Sequence, residues 1–431
     1  MGESEALAKL LDRWPENKVN PSLNRIQALL SALGNPEKSF KSVHLAGTNG
    51  KTSTARMVQQ ILLELNLRVG LYTSPHLVHP RERILVDGNW ISEKDFQDLF
   101  EKFESILDLV ERDLVAERLT FFEAITAMAF MHFSEVPIEV GVIEVGLGGR
   151  WDATNLVSSD VSVITPVSFD HKDYLGETLA EIAFEKAGIL KPETWAVISK
   201  QHPEAEKVIK KELSKKEVKA FWQNEDFFIN RRELALGGQI FDLTTPFGVH
   251  KDIFLNLYGE FQVQNAATAI CVCETFIGEK LNSDLVLNAI EKVKSPGRLE
   301  IIKRNPTVII DAAHNPEGIK VSRAAIEESF NFDEIVLVFG VMKDKETKEM
   351  LANLEKFSTK IICTQIDSQR AFNAQELSNL VKNQLTEVEV SFNFDIKEAV
   401  SESIEYAASR SNCGVVIMGS IALVGAVKDL L

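Results

Sequence analysis

The sequence predicts an α/β protein in two parts. A P-loop domain with a mostly parallel sheet and an antiparallel hairpin section comes first, and a smaller Rossmann-like α/β domain follows. Three observations predict this. The apolar run Ser42-Val43-His44-Leu45-Ala46 breaks into the loop Gly47-Thr48-Asn49-Gly50-Lys51-Thr52-Ser53 and then opens a helix. Strand-like apolar runs alternate with helical patterns along most of the chain, the signature of parallel strands joined by crossover helices. That alternation is interrupted by closely spaced turns and then by a proline–glycine break, Lys294-Ser295-Pro296-Gly297-Arg298.

In chain order, strands are expected at Val43–Ala46, Val69–Tyr72, Val140–Val145, Val161–Thr165 and Trp195–Ser199. Helices fill the gaps, among them Glu93–Val110, Phe122–Phe133 and Thr52–Leu65, which carries Ala55, Val58, Ile61, Leu62 and Leu65 on one face. Between Phe227 and Leu257, short alternating runs around Gly237-Gly238 and Pro246-Phe247-Gly248 read as antiparallel hairpins. Helices near Gln262–Phe276 and Leu285–Val293 close a domain spanning 1–294. A linker at 295–300 leads to a domain at 301–431, with strands near Thr307–Ile310, Glu334–Phe339, Lys360–Thr364 and Gly414–Met418.

A chain of 431 residues is long for one core, and 45% hydrophobic with 26% charged residues describes an ordinary globular protein. The net charge of −16 argues against a nucleic-acid partner; other polyanions can still bind where cations gather, for which Lys51, Arg81, Arg83, Arg150 and Arg298 are candidates. The acidic start, Met1 to Glu5, has no apolar core after it, so no secretory leader is expected. The run Val415–Val427 is too short to span a bilayer and contains Gly419-Ser420, so no membrane association is expected. The four cysteines form no C-x-x-C pair, and Cys271-x-Cys273 reads as packing; a reducing, cytoplasmic setting fits. Without heptads or an obvious pairing edge, a monomer is expected.

The chemistry begins at the glycine loop. Gly47 and Gly50 lack Cβ, so the backbone can turn sharply and bring its N–H groups to an anion. The helix that follows points its positive end at the same place, Lys51 adds a full charge, and Thr52 or Ser53 offers a hydroxyl to a phosphate-bound Mg²⁺. This is a nucleotide triphosphate cradle, although Leu45 stands where the strict pattern has its first glycine. Glu144 ends an apolar strand before Gly146-Leu147-Gly148-Gly149-Arg150, a loop able to approach a ligand closely; it is either a metal-side carboxylate or a solvated strand end. His171, in Ser168-Phe169-Asp170-His171, is either a metal ligand or a loop histidine, in the crevice where open α/β sheets bind ligands. Lys186, in Glu185-Lys186-Ala187-Gly188, reads by itself as a solvent-facing partner of a helix C-terminus. Asp311-Ala312-Ala313-His314-Asn315-Pro316 places polar groups after a strand, either toward a nucleotide or as helix caps.

Together these segments resemble the folylpolyglutamate synthase and dihydrofolate synthase family, ATP-dependent ligases related to the Mur cell-wall ligases. The likeness rests on seven motifs in order: Gly47 to Thr52; Thr73-Ser74-Pro75-His76-Leu77 with Glu82-Arg83; Glu144 to Arg150; Asp170-His171; Glu185 to Ile189; Pro296-Gly297-Arg298-Leu299-Glu300; and Asp311 to Pro316. The resemblance implies that Asn49, Gly50, Lys51, Thr52, Asn265, Arg298 and Asp311 hold ATP. It implies that Ser74, Glu144 and His171 bind Mg²⁺, two ions in all, and that Lys186 carries a carbamylated side chain. Lys51, Lys186 and His314 are the implied catalytic residues, with His314 and Ser420 toward the incoming glutamate. Thr120, Phe121, Phe122, Glu123 and Asp152 match positions that hold the pterin of folate or dihydropteroate. The first domain would then bind ATP and folate, and the second glutamate. Two departures stand out: Thr52 where many members have glycine, and Ile421 where an aromatic commonly follows the serine.

The implied reaction is ligation of L-glutamate to folates and to dihydropteroate through an acyl phosphate, which asks the protein for positioning and charge neutralisation. The expected partners are therefore small molecules. A Mur-type cell-wall amino acid ligase is the nearer alternative. A GTPase-like switch is the more distant one: Asp173-Tyr174-Leu175-Gly176 fits its D-x-x-G box, but Asn17-Lys18-Val19-Asn20 lacks the acid of a guanine-reading box.

Overall fold

The computed structural model describes residues 3–13, 21–113 and 118–430; residues 1–2 and 17–20 of the readings above lie outside them. Eight strands form the first sheet: β1 (Lys41–Ala46), β2 (Val69–Tyr72), β3 (Ile84–Val86), β4 (Asn89–Trp90), β5 (Val140–Glu144), β6 (Val161–Ile164), β7 (Trp195–Ile198) and β8 (Lys219–Trp222). Their order is β4-β3-β2-β5-β1-β6-β7-β8, parallel from β2 to β8, with β3 and β4 antiparallel at one edge. Strands β1, β5 and β6 are buried almost throughout, which is why each is a continuous apolar run rather than an alternating one.

All five strands expected in this part are present. Of the three that are not expected, β4 and β8 are the two edge strands, and β3, between β2 and β4, is an apolar run of only three residues. Strand β1 sits between β5 and β6, with Leu45 opposite both Glu144 and Val163. Here the strand order changes direction, so the loops after β1, β5 and β6 open beside one another at the carboxyl ends, the usual ligand position in such sheets.

Helix Lys51–Glu64 starts directly after Gly50, and Ala55, Val58, Ile61 and Leu62 are buried as their spacing predicts. Helix Phe121–Glu135 is buried on most sides, packed with Phe96, Phe100 and Phe103 of helix Glu93–Asp113 in one core. A three-stranded antiparallel sheet, β9 (Phe228–Ala235), β10 (Gly238–Thr245) and β11 (Gly248–Leu255), matches the expected hairpins. His250 of β11 is tied to helix Glu260–Ile277 by a buried contact, Nε2 to Glu274 Oε1 at 2.9 Å.

The second sheet contains β12 (Glu300–Arg304), β13 (Thr307–Asp311), β14 (Glu334–Phe339), β15 (Lys360–Thr364), β16 (Glu389–Asn393) and β17 (Cys413–Met418). Its order is β12-β13-β17-β14-β15-β16, with only β12 antiparallel to its neighbour. The edges β12 and β16 were not expected, because their half-exposed residues carry a weak apolar signal.

The chain divides into two compact units. One holds residues 1–233, 240–255 and 264–293; the other holds 234–239, 256–263 and 294–431. The second unit thus takes in two short segments that a linear division at 295–300 leaves with the first, and β12 already begins at Glu300. All four cysteines are buried and unpaired with one another. Among the described residues, no helix is long and apolar enough to cross a membrane.

Candidate active site

In the first unit the glycine loop is built from its own backbone and the loop after β6. Thr48 N and Asn49 N donate to Pro166 O at 2.9 and 3.3 Å, and Thr48 Oγ1 donates to Ser168 O at 2.9 Å. Asn49 Nδ2 donates to Ser168 Oγ at 3.1 Å. Gly50 has φ 85°, and a Cβ there would lie 2.5 Å from Asn265 Oδ1, so the position needs glycine both for its backbone and for room. The structure therefore brings Asn265 against the loop Asn49 to Thr52.

Glu144 is 1% exposed, so it is not a solvated strand end. Its carboxylate accepts Thr52 Oγ1 at 2.7 Å and Ser74 N at 3.3 Å. The Ser74 hydroxyl is buried without a hydrogen-bond partner. An orphaned hydroxyl beside a buried carboxylate is a costly arrangement unless something else fills the coordination. Among the described residues no group of three or more His, Cys, Asp or Glu side chains is placed to hold a metal. The Glu144 carboxylate with the Ser74 hydroxyl nonetheless fits Mg²⁺, which takes one or two carboxylates and completes its shell with phosphate and water. His171 has φ 51° and precedes a short helix, Lys172–Leu175; its Nε2 lies 3.8 Å from Asp170 Oδ2.

Lys186 departs most from its plain reading. It is 5% exposed rather than solvent-facing, and its Nζ donates to Gly47 O at 2.8 Å. Lys51 Nζ donates to the same carbonyl at 3.0 Å and to Thr48 O at 3.1 Å. Burial, and then the charge of Lys51, lower the Lys186 ammonium to a pKa of about 7, against the pull of Asp170 and Asp152. A lysine that is half neutral near pH 7 is a nucleophilic amine.

The segment matched to pterin binding is largely tied to the fold. Thr120 caps helix Phe121–Glu135: its side chain accepts Glu123 N, and Glu123 Oε2 accepts Thr120 N at 2.7 Å. Glu123 also receives Arg25, Nε to both carboxylate oxygens at 3.1 Å, a pair whose side chains are 2% and 5% exposed. Replacing Arg25 by Met is therefore expected to lower unfolding stability by about 3–5 kcal/mol, because it strands a buried carboxylate. Urea unfolding measures this, and an unchanged midpoint would contradict it. Phe121 lies under the Arg83 guanidinium at 5.2 Å, and Phe122 is half-buried beside Tyr72 at 6.1 Å. Asp152 is buried and accepts Gly146 N, Leu147 N, Thr154 N and Thr154 Oγ1; burial raises its pKa against these donors.

Of the cations proposed to gather at an anion, three are engaged elsewhere. Arg81 donates to Ile91 O and pairs with Glu93. Arg83 donates to His76 Nδ1 at 2.9 Å and covers Phe121. Arg150 pairs with Glu212 and stacks on Phe184. The reason is the same for each: a long side chain finds a carboxylate or ring within its own unit, which charge counting along the chain does not reveal. Sequence reading also missed Ser168 and Thr165, which line the glycine loop, and the anchoring role of Glu82, whose carboxylate accepts Leu77 N, Val78 N and His79 N and so shapes the loop after Ser74. A lone hydroxyl or loop carboxylate carries no sequence signal for such roles.

In the second unit, Asp311 is 2% exposed and accepts Leu299 N, Ala313 N and Ser322 Oγ at 2.8–2.9 Å. Burial raises its pKa and the nearby Arg298 charge opposes that. Asn315 is the cap of helix Pro316–Ser329, accepting Gly318 N at 2.7 Å. His314 Nδ1 lies 2.9 Å from Ala312 O, and Ser420 precedes helix Ile421–Leu430. Strands β13 and β17 are neighbours, and Gly419 N donates to Ala313 O at 3.1 Å, so the loops bearing His314 and Ser420 lie side by side.

Residues 45–273 match the Mur ligase middle domain, and residues 297–421 match the Mur ligase glutamate ligase domain. The chain is 39% identical to the dihydrofolate synthase/folylpolyglutamate synthase of Mycobacterium tuberculosis, over 98% of this chain and 92% of that protein. It is 31% identical to the folylpolyglutamate synthase of Lacticaseibacillus casei, over 94% of each. The fold superposes on the Mycobacterium tuberculosis folylpolyglutamate synthase complexed with ADP at a TM-score of 0.95, with 38% identity and coverage of 99% and 98%. It also superposes on Escherichia coli FolC in complex with DHPP and ADP at a TM-score of 0.88, with 26% identity and coverage of 100% and 97%.

Proposed function

Since the chain belongs to the dihydrofolate synthase/folylpolyglutamate synthase family of Mur ligases, we propose that it joins L-glutamate to folates, and also to dihydropteroate, with cleavage of ATP. The observation that carries the reading is that Lys51 and buried Lys186 both donate to Gly47 O, while Thr52, next to Lys51 in the chain, donates its hydroxyl to buried Glu144. A carboxylate condenses with an amine only after its oxygen becomes a good leaving group. A carboxylate oxygen of the folate substrate attacks the γ-phosphorus, the bond to the ADP oxygen breaks, and an acyl phosphate forms. The glutamate amine then adds to the acyl carbon, phosphate leaves, and the amine's surplus proton passes to solvent.

The protein's part is to position the reactants and offset charge. The helix N-terminus and Lys51 hold the phosphates. Asn265, against Gly50, supports the nucleotide, and Arg298 and Asp311 are assigned to it as well. His314 and Ser420 receive glutamate, while Thr120 to Glu123 and Asp152 border the pterin. Ser74, Glu144 and His171 would hold magnesium, which when bound offsets charge on phosphoryl oxygens. Lys186, as a carbamate, would offer an anionic oxygen to a second magnesium ion. The neutral amine needed to take up CO₂ is supported by its lowered pKa.

Purified protein with Mg²⁺, ATP and glutamate should release ADP in step with a product one glutamate longer, when given a tetrahydrofolate or dihydropteroate. Turnover with the folate alone would make it monofunctional. ADP release only with cell-wall precursors would overturn the reading.

A further inference from the structure

The loop Gly146 to Arg150 follows Glu144 and reads as a loop able to approach a ligand closely, yet its far end meets a different element. Arg150 N donates to Glu185 O at 2.9 Å, and Arg150 Nη2 donates to Phe184 O at 3.1 Å and to Glu212 Oε2 at 3.1 Å. The guanidinium lies 3.9 Å from the centre of the Phe184 ring. These carbonyls belong to the last turn of helix Leu179–Lys186, where orphan C=O groups and the negative end of the helix dipole favour a cation.

The two backbones also interlock. A Cβ on Gly149 would lie 3.0 Å from Lys186 O and 3.1 Å from Glu185 O, and a Cβ on Gly188 would collide with the Arg150 backbone. Asn155 Nδ2 closes the joint by donating to Arg150 O at 3.0 Å. The same helix delivers Lys186 Nζ to Gly47 O at 2.8 Å.

We propose that Arg150, seated by Gly149, is a positioning residue: it holds the last turn of the Lys186 helix, and through that turn sets the Lys186 side chain against the glycine loop. It does so without touching phosphate. This rests on the assignment of Lys186 to the ligation site. A guanidinium is suited to the task because one planar group donates to a carbonyl and a carboxylate while stacking on a ring, which an ammonium does not do.

The test uses the full chain with Arg150→Ala, Arg150→Lys and Gly149→Ala. Each is expected to lower kcat on the order of 10²-fold through misplacement of Lys186, with KM for ATP nearly unchanged. Amide hydrogen exchange should speed up at residues 187–190 while the helix Lys51–Glu64 keeps its protection. Added guanidinium, at concentrations far below those that unfold proteins, should restore part of the Arg150→Ala loss, and ammonium should not. If Arg150→Ala does not fold, Arg150→Lys carries the same exchange and kcat expectations. A rise in KM for ATP at constant kcat would mean that Arg150 binds substrate and would overturn the proposal, as would unchanged exchange at 187–190. Wild-type protein incubated with ¹³C-bicarbonate reports separately on Lys186: absence of a carbamate signal removes the carbamate, while exchange and rescue still decide the role of Arg150.

Discussion

Lys51→Ala is expected to lower ligation on the order of 10³-fold, read as ADP release with folate substrate, while leaving thermal unfolding nearly unchanged. Lys51 is the first residue of helix Lys51–Glu64 and is only partly buried, and alanine is a good helix former, so the fold loses little. The side chain lies over its own loop, bonded to Gly47 O and Thr48 O, within the loop proposed to cradle the phosphates. Its removal deletes the one full positive charge of that proposed cradle. Lys51→Arg is expected to recover little, because a planar fork does not replace a compact ammonium at a point contact. Turnover close to that of the wild type in Lys51→Ala would refute the cradle. The substitution should also raise the Lys186 pKa, since the Lys51 charge is the second cause of its depression.

Lys186→Ala is expected to cost at least on the order of 10²-fold in kcat, with partial recovery by added formate or acetate, since a small carboxylate can take the place of a carbamate oxygen. Full activity without rescue would remove the carbamate from the scheme. The pH dependence has a definite sign. The ammonium titrates at about 7 in the folded chain against 10.5 ordinarily, chiefly through burial. Between those values the unfolded chain holds a proton that the folded chain has lost, so this group makes stability rise with pH across that window. Below about pH 7 its full penalty remains. The neutral amine that accepts CO₂ becomes more abundant as pH rises through 7, so activation by bicarbonate should strengthen from pH 6 to pH 8. A bicarbonate response that weakens over that range would contradict the assignment.

Much of the fold was legible because it depends on local pattern. The buried strands β1, β5, β6 and β7 announce themselves as apolar runs, and the glycine loop is visible from Gly47 to Lys51 alone. Edge strands such as β4, with two residues, and β16, half exposed, have no such run, because one face and one edge meet solvent. Arg150 shows the same limit in the site. It stands beside glycines in a loop, and nothing in that string indicates that Phe184, Glu185 and Glu212 surround it.

By itself the sequence determined the order of elements, the glycine loop between strand and helix and the motif set that places the chain in its family, since each is carried by residues close together in the chain. Tertiary structure alone decided that Lys186 is buried and that Glu144 is bonded to Thr52 and faces an unpartnered Ser74 hydroxyl. It also decided that Thr120, Glu123 and Arg25 form a capping and ion-pair network. Those outcomes depend on desolvation and on contacts between residues up to 139 positions apart, as Lys186 and Gly47 are. Solvent exclusion is a property of the packed chain, and no stretch of letters read locally contains it.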